Sequence, residues 1–168
     1  MARIATLRAT LIALTCAALP VEARNKSPTM PRELLGIWQP STSEGATRCA
    51  QFRAFDHVGR PDTDERFWPL VGAVVITPRM AHSYSDYGEG DFHSVHRVTR
   101  LRAAEWRIDG PVGIDTMPAP HEPHESSRFV LKRGVLRWYM TASEGGEYQA
   151  DDAGYTRCTD LPADMKYD

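Results

Sequence analysis

The sequence predicts an all-β fold: a single antiparallel barrel of eight to nine strands whose first and last segments are joined by a disulfide. Three observations carry this expectation. Short runs rich in β-branched and aromatic residues recur between Gly, Pro and Asp turns, and no long stretch shows a helical period. Gly36-Ile37-Trp38 and Tyr155-Thr156-Arg157-Cys158 read as first and last strands that meet. Cys49 and Cys158 form an even pair able to staple those two ends. A barrel is preferred to a sandwich because closure removes exposed strand edges.

The first 23 residues read as an export signal. Arg3 and Arg8 precede an apolar run from Leu7 to Leu19, and Val21-Glu22-Ala23 offers a cleavage point, so the mature chain begins near Arg24. The apolar run is shorter than the roughly 20 residues a spanning helix needs, and no second run could cross a membrane. Cys16 leaves with the signal on this reading. Residues 24–33 are a polar leader and a short helical turn, 34–160 the barrel and 161–168 a tail.

Within the barrel region the elements follow in order. Pro31 to Leu35 makes one helical turn with Gly36 just beyond it, and Leu35 to Gln39 is a strand stopped by Pro40. Arg48 to Phe55 alternates, with Cys49, Gln51, Arg53 and Phe55 on one side, and reads as a strand. Asp56 to Arg66 is a charged loop. Val71 to Thr77 is a β-branched run between prolines, too short for a buried helix. Ala81 to Tyr87 and Asp91 to Leu101 are further strands about Gly88-Glu89-Gly90. Glu105 to Ile108 ends at the turn signal Asp109-Gly110, and Pro118 to Ser126 is a polar loop. Ser127 to Lys132 and Val135 to Thr141 flank Arg133-Gly134 as a hairpin, since glycine permits the positive φ of such turns. Tyr155 to Thr159 is the last strand.

Composition narrows the function classes. The formal net charge is −2, and losing Arg3, Arg8 and Glu22 shifts it by only one unit, so the basic footprint of a nucleic-acid binder is missing. In an oxidising compartment the two remaining cysteines are most simply a cystine. Closing so long a loop is credited with about 4 to 5 kcal/mol at most in the chain-entropy account. No Gly-x-Ser-x-Gly elbow, phosphate-binding glycine loop, His-Glu-x-x-His helix or dinucleotide fingerprint occurs, so no catalytic residue is assigned and no cofactor is expected. His121-Glu122-Pro123-His124-Glu125 gathers two imidazoles and two carboxylates, but its prolines and polarity describe a solvated loop, and no metal site is assigned.

With Leu35-Gly36-Ile37-Trp38 at one end and Arg157 at the other, the chain resembles the lipocalins and the wider calycin group. Members of that group begin with a helical turn and a Gly-x-Trp strand, and a basic residue on the last strand packs across the tryptophan. The resemblance covers only the two ends of the domain. It implies that Gly36, Trp38 and Arg157, with the Cys49–Cys158 staple, close one end of the barrel, the Arg157 guanidinium lying over the indole and bonding main-chain carbonyls. Taken with the export signal, which points to a periplasmic or secreted product, it implies a carrier of a small apolar ligand. Trp106, Phe129, Trp138 and Tyr139 are the residues expected to hold that ligand, from an aromatic set that also includes Trp68. Core filling accounts for the same aromatics, because small eight-stranded barrels are either packed solid or hold one ligand. The alternative function is an envelope interaction protein with a solid core, meeting a protein partner through the loops Asp56 to Arg66 and Pro118 to Ser126.

Overall fold

The computed structural model describes residues 27–54, 65–141, 146–149 and 152–162. The expected export signal with Cys16, nearly all of the Asp56 to Arg66 loop and the end of the expected tail lie outside the described residues. A 3-10 turn at Arg32–Leu34, with Pro31 at its cap, leads into β1 (Gly36–Pro40). The α-helix α1 (Ser43–Arg53) and a second 3-10 turn (Glu65–Leu70) follow. The remaining strands are β2 (Val74–Ile76), β3 (Met80–Tyr84), β4 (Gly90–Ser94), β5 (Arg97–Arg102), β6 (Glu105–Ile114), β7 (His124–Lys132), β8 (Val135–Thr141), β9 (Glu147–Gln149) and β10 (Tyr155–Thr159).

All pairings are antiparallel, in the order β10, β1, β2, β3, β4, β6, β7, β8, and β10 returns to β8 through Tyr155 opposite Leu136. Counting β4 and β5 as two halves of one interrupted strand, this is a closed eight-stranded barrel, with β9 as an extra strand on β8. Trp38 stands opposite Arg157, and the register shifts beside it, so that Cys158 falls at a bulge. The Cys49–Cys158 disulfide spans 109 residues and ties α1 to the last strand.

Two apolar layers result from strand alternation. Trp38, Val74, Ile76, Ile108, Phe129 and Trp138 point inward and form the barrel core, joined by Met30 and Leu34 from the amino-terminal segment. Ile37, Val75 and Tyr84 point outward and are covered by Cys49 and Phe52 of α1 and by Phe67 and Leu70 of the second 3-10 turn. Burying Phe52, Phe67 and Leu70 in this outer layer stabilises the fold by about 2 kcal/mol each.

Several local expectations are corrected. Arg48 to Phe55 is not a strand; its described part belongs to α1. The Thr42 side chain accepts a hydrogen bond from the Gly45 amide at 3.1 Å, and Glu44 meets Arg48 one turn on at 2.6 Å. Gly45, Cys49 and Phe52 make a helical stripe at offsets of four and three, which the short alternation concealed. Gly45 is where α1 touches the sheet connection, since a Cβ there would lie 2.1 Å from the Pro40 carbonyl oxygen.

Asp109-Gly110 is not a turn, because β6 runs through it to Ile114. Conversely, Asp91 to Leu101 is broken at Val95-His96. These two differences have one cause: β4 pairs with residues 112–114 of β6 and β5 with residues 105–109, so Gly110 and Pro111 face the interruption. There the Ser94 carbonyl comes so close that a Cβ on Gly110 would be 1.8 Å from its oxygen. Proline is tolerated because the ladder it would have donated to is absent on that side. The hairpin over Arg133-Gly134 is as expected, both residues having positive φ, 52° and 79°.

Candidate functional site

The expected ligand-binding aromatics divide between the two sides of the wall. Trp106, Phe129 and Trp138 point into the barrel, Phe129 and Trp138 stacking at 5.3 Å between ring centroids. Phe129 and Trp138 are 0 % accessible, so no water-sized gap touches either ring. Both rings are packed within the barrel core. The indole Nε1 of Trp138 is buried without a hydrogen-bond partner, a cost that burial of the large ring offsets. Tyr139 follows Trp138 on the strand and therefore faces outward, where the Arg128 guanidinium lies 4.1 Å from its ring centre. Trp68 is 56 % exposed on the second 3-10 turn, away from the interior.

The Trp38 cluster joins as expected. Arg157 lies 5.6 Å from the indole ring centre, and Trp38 Nε1 donates to the Leu34 carbonyl at 2.8 Å, tying the amino-terminal turn to the barrel end. Gly36 is required here: at φ +130° its missing Cβ would stand 2.7 Å from the Thr159 oxygen and 3.4 Å from the guanidinium. The guanidinium is not held by the main-chain carbonyls expected of it. It is half-exposed and paired with the Asp160 carboxylate.

Two histidines are buried in the wall. His93 points inward from β4, its Nδ1 2.6 Å from Ser127 Oγ. His82 points outward from β3, stacked on Phe92 at 3.8 Å with Nε2 2.9 Å from the Glu89 carbonyl oxygen. Burial lowers both pKa values to about 4; the Glu89 hydrogen bond opposes this at His82, and Asp109 and the Glu125 backbone oppose it at His93. Each is therefore a neutral packing group near pH 7. Of the His121 to Glu125 motif, His124 begins β7 and meets His96 edge-on at 4.6 Å between ring centres. Among the described residues no group of three His, Cys, Asp or Glu side chains is arranged to hold a metal ion.

Beside the β2–β3 turn lies an open groove of about 1050 Å³. Three stretches build it: Ser27 and Pro28 of the leader, the β2–β3 turn with Arg79 and Met80, and the β4–β5 interruption at Ser94, Val95 and His96. Met80 and Val95 form a buried apolar floor, and Met117 closes one side while remaining 49 % exposed. Ile114, at the end of β6, is 72 % exposed. Hydrogen bonds from the Met30 amide to the Pro78 carbonyl and from the Val95 amide to the Arg79 carbonyl, both 2.8 Å, hold the walls together. Of the loops expected to carry recognition, Pro118 to Ser126 thus adjoins this groove through Met117.

Past the interruption the wall continues as β5, which pairs with β6 and, among the described residues, with no other strand. Arg97, Arg100, Leu101 and Arg102 are all exposed along it. Beside it on β6, Glu105 is engaged by Arg128 at 3.3 Å and by Arg102 of β5 at 3.9 Å, and Asp109 by Arg107 at 3.3 Å and Ser126 at 2.5 Å. A smaller groove of about 300 Å³ separates α1 from β10. Sequence reasoning missed the large groove because the break in Asp91 to Leu101 was not visible to it. The signal that pointed there was the Arg97, Arg100, Arg102 series, a charge pattern characteristic of an edge strand. Comparison with protein-family models, with curated proteins and with solved structures returned no match.

Proposed function

We propose that this chain is an exported β-barrel that recognises a protein partner on its outer wall, at the groove bounded by Arg79, His96 and Met117. The observation that carries this reading is the contrast between the two sides of the wall. Phe129 and Trp138 leave no water-sized gap around themselves, whereas the groove is open, with Met80 and Val95 beneath it and the exposed side chain of Met117 beside it. A partner surface that covers those side chains removes apolar area from water at roughly 25 cal/mol per Å². Export is supported by the cystine, which persists in oxidising compartments. No helix among the described residues is long and apolar enough to cross a membrane.

A photo-crosslinking amino acid at Met117, in protein made by the cells that normally produce it, tests the reading. A discrete adduct that disappears when the exposed groove residue Arg79 is also changed to Glu is the expected result. Adduct yield at Met117 no higher than at the Gly134 turn would end it.

A second reading, the lipocalin-like carrier, draws support from the Trp38–Arg157 closure and from the unpartnered Trp138 Nε1, which an acceptor on an apolar ligand would satisfy. Trp106, Phe129 and Trp138 would hold such a ligand only after repacking. Tyr139 would take no part from its outward position.

A further inference from the structure

We infer that the open edge of β5 takes an acidic, extended segment of the partner as an added strand, an inference that rests on the outer-wall reading above. Strand addition needs an edge whose amides and carbonyls are unclaimed, and β5 has one, since its ladder runs to β6 alone among the described residues. The edge is continuous with the groove: His96 lines the groove and Arg97 begins the strand. A segment laid along β5 therefore runs directly onto the apolar floor at Met80 and Val95.

Charge selects the occupant. Arg97, Arg100 and Arg102 stand exposed on β5 with no acidic residue in that strand, and Arg79 adds a fourth guanidinium at the groove. Of the neighbouring carboxylates, Asp109 faces Arg107 at 3.3 Å, and Glu105 faces Arg128 at 3.3 Å and, more loosely, Arg102 at 3.9 Å, which leaves the charge of Arg97 beside the groove for an acidic partner. The Arg100 guanidinium turns back to the Arg102 and Ala103 carbonyls, at 3.2 and 2.7 Å, and so occupies the far end of the edge. Accessible pairing is thus concentrated on Arg97 to Thr99, next to the groove. Two copies of this chain would bring like charges together on pairing these edges, so the same arginines that discourage self-association favour an acidic strand. Leu101, 43 % exposed, gives such a strand one apolar contact beyond its charges.

The test uses the mature chain and a short fluorescein-labelled peptide alternating Glu and Val. Its controls are the Lys-Val counterpart, a Glu-Pro peptide with the same charge but fewer backbone donors, and vesicles of phosphatidylglycerol. Saturable binding of the Glu-Val peptide, slowed amide exchange across Arg97 to Arg102 and weaker binding of the Glu-Pro and Lys-Val peptides are the expected results. Reversing two rim charges, Arg97→Glu with Arg102→Glu, should weaken binding by about tenfold, with the loss falling mainly on the association rate. If that variant does not fold, Arg97→Glu alone should weaken binding by a smaller factor. Equal binding of the Glu-Pro peptide would reduce the edge to a charge patch, and exchange unchanged at β5 would place the peptide elsewhere; either result overturns the inference, as does failure of the Glu-Val peptide to bind. Arginine-dependent capture of the vesicles without peptide binding would assign the patch to a lipid surface instead. A Met117 crosslink that survives any of these failures leaves the outer-wall reading standing and removes only the added strand.

Discussion

Acidification should unfold this barrel through its two buried histidines. His82 and His93 are each 1 % accessible, and burial lowers both pKa values from 6.5 to about 4. In the unfolded chain they take protons near pH 6.5, whereas in the barrel they resist until about pH 4. Between those limits the unfolded state binds more protons, so stability is fully present above about pH 6.5 and is lost as pH falls toward 4. A shift of that size corresponds to about 3 kcal/mol for each histidine, to be set against a total of roughly 5 to 15 kcal/mol for a typical domain. Asp91 works in the opposite sense. Burial and then the nearby Asp115 raise its pKa, so protonating it favours the folded form at the acidic end of the same window. Urea unfolding followed by tryptophan fluorescence across this pH range measures the effect, with His82→Gln and His93→Gln as non-titrating replacements that retain hydrogen-bonding capacity. Each replacement should flatten the fall by up to about 1.4 kcal/mol per pH unit. A double variant whose stability drops as steeply as that of the unaltered chain would show that the two histidines do not set the acid limit.

Replacing Cys49 and Cys158 with serine should cost about 2 to 5 kcal/mol, read as a lower urea midpoint, and no change in midpoint would show that the staple constrains nothing. Gly110→Ala should be among the most damaging single changes, because the added Cβ would fall 1.8 Å from a main-chain oxygen and force β4 from β6. Loss of amide protection at Asp91 to His93 would report that separation. Arg157→Ala removes a guanidinium that is half-exposed, so its effect should be about 1 kcal/mol. A loss above roughly 3 kcal/mol would mean that the residue does more than cover the indole and pair with Asp160.

Much of the barrel was legible because its signals are local. Val74 to Ile76, the Arg133-Gly134 hairpin and Tyr155 to Thr159 are specified by β-branching, turn chemistry and alternation, and they sit where those rules place them. The Trp38–Arg157 contact and the cystine were legible from residue type, since a flat apolar ring, a guanidinium and two thiols have few ways to be satisfied. What failed was non-local. The helical stripe of Gly45, Cys49 and Phe52 is paid for by Ile37 and Val75 beneath it, strands that only the folded sheet brings there. Likewise, Gly110 reads as a turn until the Ser94 carbonyl is known to press on it. The groove was the least legible feature, because it arises where a strand is interrupted and the leader passes by, and only the Arg97, Arg100, Arg102 series marks the edge beside it in the sequence.

Native mass spectrometry of the protein, extracted from its producing cells without denaturant, tests most directly whether the barrel interior is filled and recognition lies outside. The free chain should carry no small molecule, and any bound species should be a protein whose retention depends on Arg79 and Met117. A stoichiometric small apolar adduct lost on Trp138→Ala, with binding unaffected by Arg79→Glu and Met117→Ser, would place recognition inside the barrel instead.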